Sequence, residues 1–341
     1  MSFKTCLTHC LEHFAPVSTF QIDDIKSVYT RCTDPLIKQH DGDTHVRHRL
    51  VLVSTEQEGF LCGLETYEYK LKNRHIVYIS KVDTTQTFEK FKGLTARIVQ
   101  SYIASLPPLS SVFVFARAQP QYLFARSAEN KQKKALNDRD LVYWWLSVLN
   151  KVPVESEGWW SVPGIDDQTS ALIEIGAKRR SWRSSDKVQW HYGTSYPPEA
   201  EADQVIPRFE DDAKSRLLRN TDKMTVVDFW NLLSIGEECG SGKVTGFFEL
   251  RLKSQTQTET EAVACTSSDF TLFWNKLMSL DFHDAVSNKA STETAREAIK
   301  DTASFVIQTK PSTLPTVQPI TTDKRPAIHM LSNGFIKRKK K

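Results

Sequence analysis

The residues of this sequence that could do proton chemistry are concentrated in one eight-residue stretch. The stretch Phe209–Arg216 carries neighbouring carboxylates at Asp211 and Asp212, followed closely by two cations. Neighbouring carboxylates whose pKa values are pushed apart can attract an amine and accept its proton. The same spacing is typical of an ordinary helix start, with acids at the positive end and bases one turn later. From the spacing alone, the two interpretations carry equal weight.

A second group of residues could form a binding cleft. Trp144 and Trp145 lie in an amphipathic segment, so one indole is expected in the core. The other would then face a cleft wall, where it suits a cofactor or an aliphatic side chain. Lys131, Lys133 and Lys134 precede this segment, and cations beside a helix N-terminus favour a phosphate site. Solvated surface lysines are the more frequent explanation for such a group.

Two further motifs imitate known sites without their full pattern. His9, Glu12 and His13 have the spacing of some zinc peptidases, but no third ligand stands out, and a polar helix face is favoured. The stretch Gly236–Lys243 imitates a phosphate loop with the wrong glycine spacing, and Val244 replaces the hydroxyl that would hold magnesium. We therefore predict neither a metal site nor a triphosphate-binding loop.

Hydrophobic periodicity predicts the elements that must position these residues. An amphipathic helix over Phe3–Phe14 precedes three strands in an antiparallel meander. Asn137 is expected to cap a helix that runs to about Asn150, and Ser254–Glu261 is expected to be a mobile polar loop. The predicted strands are Arg49–Ser54, Phe60–Tyr69, Ile76–Ser80 and Ser111–Ala116. Further helices are predicted at Thr95–Ala104, from Ser268 or Asp269 onward, and at Thr292–Ile307.

Charge and cysteine content narrow the class of function. The 341 residues carry 45 Lys and Arg against 41 Asp and Glu, a net charge of +4. That excess lies in Lys337–Lys341, so the rest of the chain is close to neutral and is not expected to hold nucleic acid by bulk charge. Six scattered cysteines indicate a reducing compartment. We expect neither a membrane-spanning segment nor a secretory leader.

Three segments together resemble one protein family. They are Val77–Thr84, then Gln119–Phe124 continuing through Lys133-Lys134 to Trp144-Trp145, and Phe209–Arg216. Their order and the spacing within the second segment resemble the fungal histone acetyltransferases of the regulator-of-Ty-transposition type. Weaker similarity extends the resemblance over nearly the whole chain, at Phe60–Tyr69, Val162–Gly164 and Ile328–Leu331.

The resemblance implies one α/β domain at residues 1–308, a central mixed β-sheet surrounded by helices. A Pro/Thr-rich flexible tail at residues 309–341 would end in the basic cluster, which suits nuclear import and docking to an acidic chaperone. The implied enzyme transfers acetyl from acetyl-CoA, without a metal, to lysines of newly synthesised H-three histone in replication-coupled chromatin assembly and genome stability. A noncatalytic histone- or chaperone-binding module of the same fold is the alternative.

The resemblance also implies partners and a location. The partners are the H-three/H-four histone complex and histone chaperones of the nucleosome-assembly and anti-silencing-function types. The location is the nucleus, with no membrane and no direct sequence-specific contact to nucleic acid.

Individual residues receive roles through the same resemblance. Asp212 matches the family's catalytic carboxylate, Asp211 supports it, and Lys214 matches a lysine that the enzyme acetylates on itself. The resemblance also places Asp83 and Trp144 among the catalytic residues, near the reactive end of the cofactor site. The matched cofactor-binding residues are Val82, Asp83, Thr84, Lys90, Phe91, Lys92, Gly93, Leu94, Phe115, Ala118, Gln119, Tyr122, Lys134, Ala135, Leu136 and Trp144.

The chemistry of acetyl transfer fits these roles. A lysine amine has a pKa of about 10.4, so only about one in a thousand is neutral near pH 7.4, and an acetyltransferase must deprotonate it or select the neutral form. The phosphates of coenzyme A need cations, for which the candidates are Lys90, Lys92, Lys133 and Lys134. The sequence departs from the family twice. Only Leu106–Ser111 stands where the family has a long lysine-rich insertion, and Phe88–Gly93 lacks a pair of arginines.

Overall fold

A mixed β-sheet of ten strands runs through the middle of the described chain. The computed structural model describes residues 1–39, 43–210, 212–219, 223–236, 239–240, 242–253, 264–299 and 304–311. The strands are β1 (Thr19–Lys26), β2 (Thr30–Arg31), β3 (His45–Thr55), β4 (Gly59–Leu71), β5 (Arg74–Thr84), β6 (Ser111–Ala116), β7 (Ser156–Ser161), β8 (Val188–Tyr192), β9 (Gly246–Leu252) and β10 (Ser304–Gln308). The order across the sheet is β10-β1-β3-β4-β5-β6-β9-β7-β8, and β2 pairs with β3.

Helices flank this sheet. They are α1 (Phe3–Leu11), α2 (Leu94–Ala104), α3 (Asp138–Leu149), α4 (Gln168–Glu174), α5 (Ala202–Val205), α6 (Ala213–Arg219), α7 (Val226–Ile235), α8 (Ser267–Met278) and α9 (Ala285–Ala298). Residues 1–311 form one compact unit. No helix of the described ranges is long and apolar enough to cross a bilayer.

Strand β3 shows why the sheet is buried on both faces. Val51 and Val53 pack into the core that α1, α2 and α3 cover, whereas Leu50 and Leu52 pack into the core under α8 and α9. Successive side chains of a strand point to opposite faces, so a continuous apolar run such as this one serves two cores. The predicted α/β class, a central mixed sheet with surrounding helices, is confirmed.

Most predicted elements lie where the periodicity placed them. The meander β3-β4-β5 is antiparallel, and Asn137 caps α3 by accepting a hydrogen bond from the backbone N–H of Asp140 at 2.9 Å. The polar stretch Ser254–Glu261 lies entirely outside the described residues, and so do the Ile328–Leu331 patch and Lys337–Lys341.

The predicted helix over Thr292–Ile307 is wrong in its second half. Helix α9 starts earlier, where Asp284 accepts a hydrogen bond from the backbone N–H of Ser287, and it ends at Ala298. The run Phe305–Ile307 then pairs with β1 as part of β10, and Ile307 is buried. Apolar and β-branched residues at this short spacing suit an edge strand as well as a helix, and pairing with a distant strand decides between them.

A buried ion network joins the first strands to α2. The Arg49 guanidinium donates from Nε to Asp24 Oδ1 at 2.8 Å and from Nη1 to Glu68 Oε1 at 3.1 Å. The Tyr102 hydroxyl donates to the same Glu68 oxygen at 2.9 Å. Burial alone would raise the pKa of Glu68, but Arg49 and Arg47 hold it well below its usual value. The network therefore consists of charges that are paired inside the protein.

We expect Arg49→Met to lower the free energy of unfolding by about 3 to 5 kcal/mol, because it leaves buried carboxylates without their partner. The control is Arg31→Met, which removes an ion pair with Asp43 in which both side chains are exposed. This change should cost less than about 1 kcal/mol. Urea unfolding followed by circular dichroism measures both, and equal losses in the two variants would contradict the role of the network.

Candidate functional site

A gap opens in the sheet where β5 and β6 separate. The two strands are paired in parallel only from Ile76 to Ile79 on β5. Beyond that point β5 stays paired with β4, and β6 stays paired with β9. A register shift between β4 and β5 leaves Ser80 as an extra residue at the point of separation, which bends the strand. The separation creates space between two ordered strands.

A cavity of about 480 Å³ occupies this space, within the usual range for ligand sites. Its walls come from β5, the turn before α2, the end of β6, the segment 119–136 and the first half of α3. The lining residues are Leu61, Cys62, Ile79, Ser80, Val82, Asp83, Thr84, Gln86, Thr87, Phe88, Phe91, Lys92, Gly93, Leu94, Thr95, Phe115, Arg117, Gln119, Pro120, Tyr122, Lys133, Lys134, Ala135, Leu136, Leu141, Trp144 and Trp145.

The carboxylate of Asp83 holds two walls of this cavity together. Its Oδ2 accepts hydrogen bonds from the backbone N–H groups of Tyr122, Leu123 and Phe124 at 2.8, 2.9 and 3.3 Å. Its Oδ1 forms an ion pair with Lys133 Nζ at 2.7 Å. Both oxygens are therefore occupied by groups of the segment 119–136. We assign Asp83 to positioning the wall, since its acceptors are engaged within the protein.

Lys133 is the buried partner in this pair. Its side chain is 6% exposed, and Nζ also donates to Ser127 Oγ at 2.8 Å. Burial lowers the pKa of Lys133, although Asp83 opposes the shift. Lys133 also lines the cavity, so its role as a phosphate-binding cation stays a prediction, with its charge paired to Asp83 in this structure.

The N-terminus of α2 forms the end of the cavity that suits an anion. Gly93 adopts φ 87°, and among the described residues no side chain caps the helix there. The first backbone N–H groups of a helix lack partners within the helix and carry its positive dipole end. Lys92 and Lys134 line the same cavity, and Lys134 is exposed. This donor set fits phosphate groups.

Another wall of the cavity, formed by α3, is apolar and aromatic. Trp145 is buried and Trp144 is partly exposed, with their ring centroids 4.9 Å apart at 78°. Both indoles and Leu141 line the cavity from α3. Tyr122 is fixed nearby, since its hydroxyl donates to the carbonyl of Arg117 at 2.5 Å and accepts from the N–H of Gln119 at 2.8 Å. Such a wall suits an aliphatic chain.

Asp212 lies at the start of α6 and does not line the cavity. Phe209, fully buried, stacks on Tyr78 of β5 with centroids 4.4 Å apart and so fixes the segment that leads to Asp212. Asp212 Oδ1 accepts from the backbone N–H of Lys214 at 2.9 Å, and its Oδ2 lies 2.8 Å from Lys214 Nζ. Both side chains of the pair are nearly inaccessible, at 1% and 5% exposure. Asp211 falls outside the described residues.

Aromatic rings connect this ion pair to the cavity. Lys214 Nζ lies 4.6 Å from the ring centroid of Phe247. The Phe247 ring stacks on Phe115 at 4.7 Å, and Phe115 lines the cavity. The carboxylate and the cavity are thus separated by a short aromatic layer, with a cation lying on one side of it.

The structure brings most of the sequence-matched cofactor residues to one cavity. Two of them lie elsewhere: Ala118 is beside the wall, and Lys90 pairs its Nζ with Glu58. Sequence reasoning missed several other lining residues, among them Leu61, Cys62, Gln86 and Thr87. Thr87 was recognisable only through its contacts, because its hydroxyl accepts from the backbone N–H of Lys134 at 2.8 Å.

Comparison with known proteins gives concordant matches. A family model described as the histone acetyltransferase KAT11-type domain matches residues 108–322. The chain is 30% identical over 228 residues to histone acetyltransferase rtt109 of Schizosaccharomyces pombe, covering 58% of this chain and 58% of that protein. It is 27% identical over 297 residues to histone acetyltransferase rtt109 of Aspergillus flavus, covering 67% of this chain and 53% of that protein.

A solved structure is similar in fold. The crystal structure of Rtt109 from Aspergillus fumigatus matches with a TM-score of 0.74 and 21% identity, covering 90% of this chain and 100% of that one. At this identity the likeness concerns the fold alone. The matches to the two curated relatives span 58% and 53% of those proteins' own lengths.

We expect Asp83→Ala to lower the free energy of unfolding by about 3 to 5 kcal/mol, because Lys133 becomes a buried charge without a partner and three backbone donors lose their acceptor. The matched control is Asp166→Ala, at an exposed aspartate, which should cost less than about 1 kcal/mol. Guanidinium unfolding followed by tryptophan fluorescence measures both. A loss below 1 kcal/mol for Asp83→Ala would show that other contacts hold the wall.

Proposed function

This chain belongs to the KAT11-type histone acetyltransferase family, and from that membership we propose that it transfers the acetyl group of acetyl-CoA to histone lysines. The family match confirms the resemblance that the three sequence segments indicated. The observation that carries the proposed activity is one cavity that combines a helix N-terminus and nearby lysines with an apolar aromatic wall. A ligand with phosphates at one end and a flexible chain at the other fits that combination.

The cavity residues divide the binding of acetyl-CoA between them. The free N–H groups at the start of α2, together with Lys92 and Lys134, would hold the phosphates. The edge of β5 from Val82 to Thr84 and the indole of Trp144 would line the chain that ends in the thioester. Asp83 fixes the position of the segment 119–136 relative to β5 by accepting hydrogen bonds from its backbone. No metal enters this scheme.

Removal of the proton from the substrate amine is assigned to Asp212. A protonated lysine must lose a proton before it can attack the thioester carbonyl. Asp212 is buried and already neutralises the ammonium of Lys214, so this position stabilises a lysine side chain next to a carboxylate. Acetylation of Lys214 itself would remove that charge and free Asp212 for a substrate lysine. Asp211 would support it from the neighbouring position.

The finer features of the function rest on the family resemblance. We propose newly synthesised H-three histone, presented in the H-three/H-four complex by histone chaperones, as the substrate, and the nucleus as the site of action in replication-coupled chromatin assembly. Both curated relatives are named histone acetyltransferases, which supports the histone as acceptor. We propose residues 1–308 as the catalytic domain, with residues 309–341 as a basic tail that aids import and chaperone contact.

We expect the chain to transfer label from radioactive acetyl-CoA to an H-three/H-four histone complex supplied with a chaperone, and we expect Asp212→Asn to slow this transfer about 100-fold or more. The reason is that an amide cannot accept the lysine proton. The matched control is Asp228→Asn, an exposed aspartate in the first turn of α7, which should leave the rate within about twofold.

Two results separate the proposal from its alternative. A thermal shift with acetyl-CoA together with transfer supports the enzyme. Absence of both, with histone binding retained, would assign the chain to the noncatalytic histone-binding class. Transfer that persists in Asp212→Asn at the wild-type rate would move the proton acceptor to another residue.

A further inference from the structure

A short loop between α4 and β8 concentrates positive charge on a chain that is otherwise close to neutral. Residues 178–187, here called the basic loop, carry five cations, Lys178, Arg179, Arg180, Arg183 and Lys187, against the single acid Asp186. Phosphate binding needs clustered cations, and the basic loop supplies such a cluster within ten residues.

The basic loop is held in a fixed conformation. Trp182 packs against the main core, and its backbone N–H donates to the carbonyl of Ala177 at 3.1 Å. Asn150, at the end of α3, donates from Nδ2 to the carbonyl of Arg183 at 2.8 Å and accepts from the N–H of Ser185 at 2.9 Å. Ser181 adopts φ 52°, a left-handed conformation that costs free energy for a residue with a Cβ. A loop anchored in this way presents its charges in a set arrangement.

Three of the five cations are exposed and form no side-chain hydrogen bond or ion pair within the described ranges. Arg180 pairs with Asp140, and Lys187 donates to the carbonyl of Pro153 at 3.0 Å. Lys178, Arg179 and Arg183 are exposed, and within the ranges that the structure describes no carboxylate oxygen lies within ion-pair distance of them. These three side chains are therefore available for an anionic partner.

We propose that the basic loop binds the sugar–phosphate backbone of duplex DNA. Arginine and lysine side chains interleaved with serine hydroxyls, as at Ser181 and Ser184, are the groups that contact DNA phosphates. Trp182 is the one aromatic residue in the loop, and its ring is partly buried against the core, which favours a duplex over a single strand whose unpaired bases need an open ring to stack on. Binding of this kind depends on the phosphate charge and is independent of the base sequence.

The fixed geometry of the loop favours DNA over an acidic polypeptide segment. A duplex presents phosphates at a regular spacing, and a loop whose backbone is already anchored can meet that array without losing backbone freedom on binding. The loop is next to the N-terminal half of α3, because Arg180 pairs with Asp140 and lies 4.3 Å from the ring centroid of Tyr143. The same helix lines the cavity through Leu141 and Trp144. DNA bound there would lie beside the candidate site, and the binding itself does not depend on catalysis.

The test measures fluorescence anisotropy of a labelled 25-base-pair duplex with the full chain at several salt concentrations. We expect the variant Arg179→Gln/Arg183→Gln to bind at least about fivefold more weakly at low salt. Each lost phosphate contact lowers the slope of log affinity against log salt by about 0.9, so the slope should fall by about 2. Lys178→Gln added to this pair should lower it further. The basic tail is present in every variant and contributes equally.

The matched control is Lys276→Gln/Lys289→Gln, which removes the same charge from exposed positions on α8 and α9. It should leave the affinity within about twofold. Equal weakening of DNA binding by both variants would show that the affinity depends only on the net charge of the protein, and it would overturn the proposal. Tighter binding to a poly-glutamate peptide than to the duplex would assign the loop to an acidic protein partner. A loss of coenzyme A affinity in Arg179→Gln/Arg183→Gln, with DNA binding unchanged, would assign it to the cavity.

Discussion

The geometry of the candidate site depends on the carboxylate of Asp83. One oxygen accepts from three consecutive backbone N–H groups of the segment 119–136, and the other pairs with Lys133 from the far end of the same segment. A carboxylate buried in this way is stable because every charge and donor around it is satisfied. The segment that forms one wall of the cavity is thereby fixed to the end of β5, which forms the other.

The sheet places the cavity and the Asp212–Lys214 pair, our proposed proton acceptor and its neighbour, on either side of an aromatic layer. The separation of β5 and β6 opens the cavity, while the stack of Phe209 on Tyr78 carries the Asp212 segment across the same strands. Phe115 and Phe247 lie between the cavity and the buried pair of Asp212 with Lys214. The side chains of the pair are nearly inaccessible to water, at 1% and 5% exposure, which strengthens the electrostatic interaction between them.

The sequence predicted local structure well where the pattern was local. The meander and the Asn137 cap follow from alternation and from one side-chain acceptor. Strand β10 was mistaken for helix, since only its pairing with β1 distinguishes the two. In the site, the segments around Asp83, Tyr122 and Trp144 were identified by their resemblance to a family, whereas the pairing of Asp83 with Lys133 was not predicted. That contact joins residues 50 positions apart in the chain, and the hydrophobic periodicity of a local segment cannot predict a contact at that separation.

The most direct test of the cavity as the cofactor site is hydrogen–deuterium exchange with and without acetyl-CoA. Binding should slow amide exchange in residues 83–95 and 119–136, because these segments form the cavity walls and the anion-binding end. Exchange in β1 and β10, remote from the cavity wall, should stay unchanged and serves as the internal control. Protection confined to other segments, or none at saturating acetyl-CoA, would contradict the assignment of this cavity.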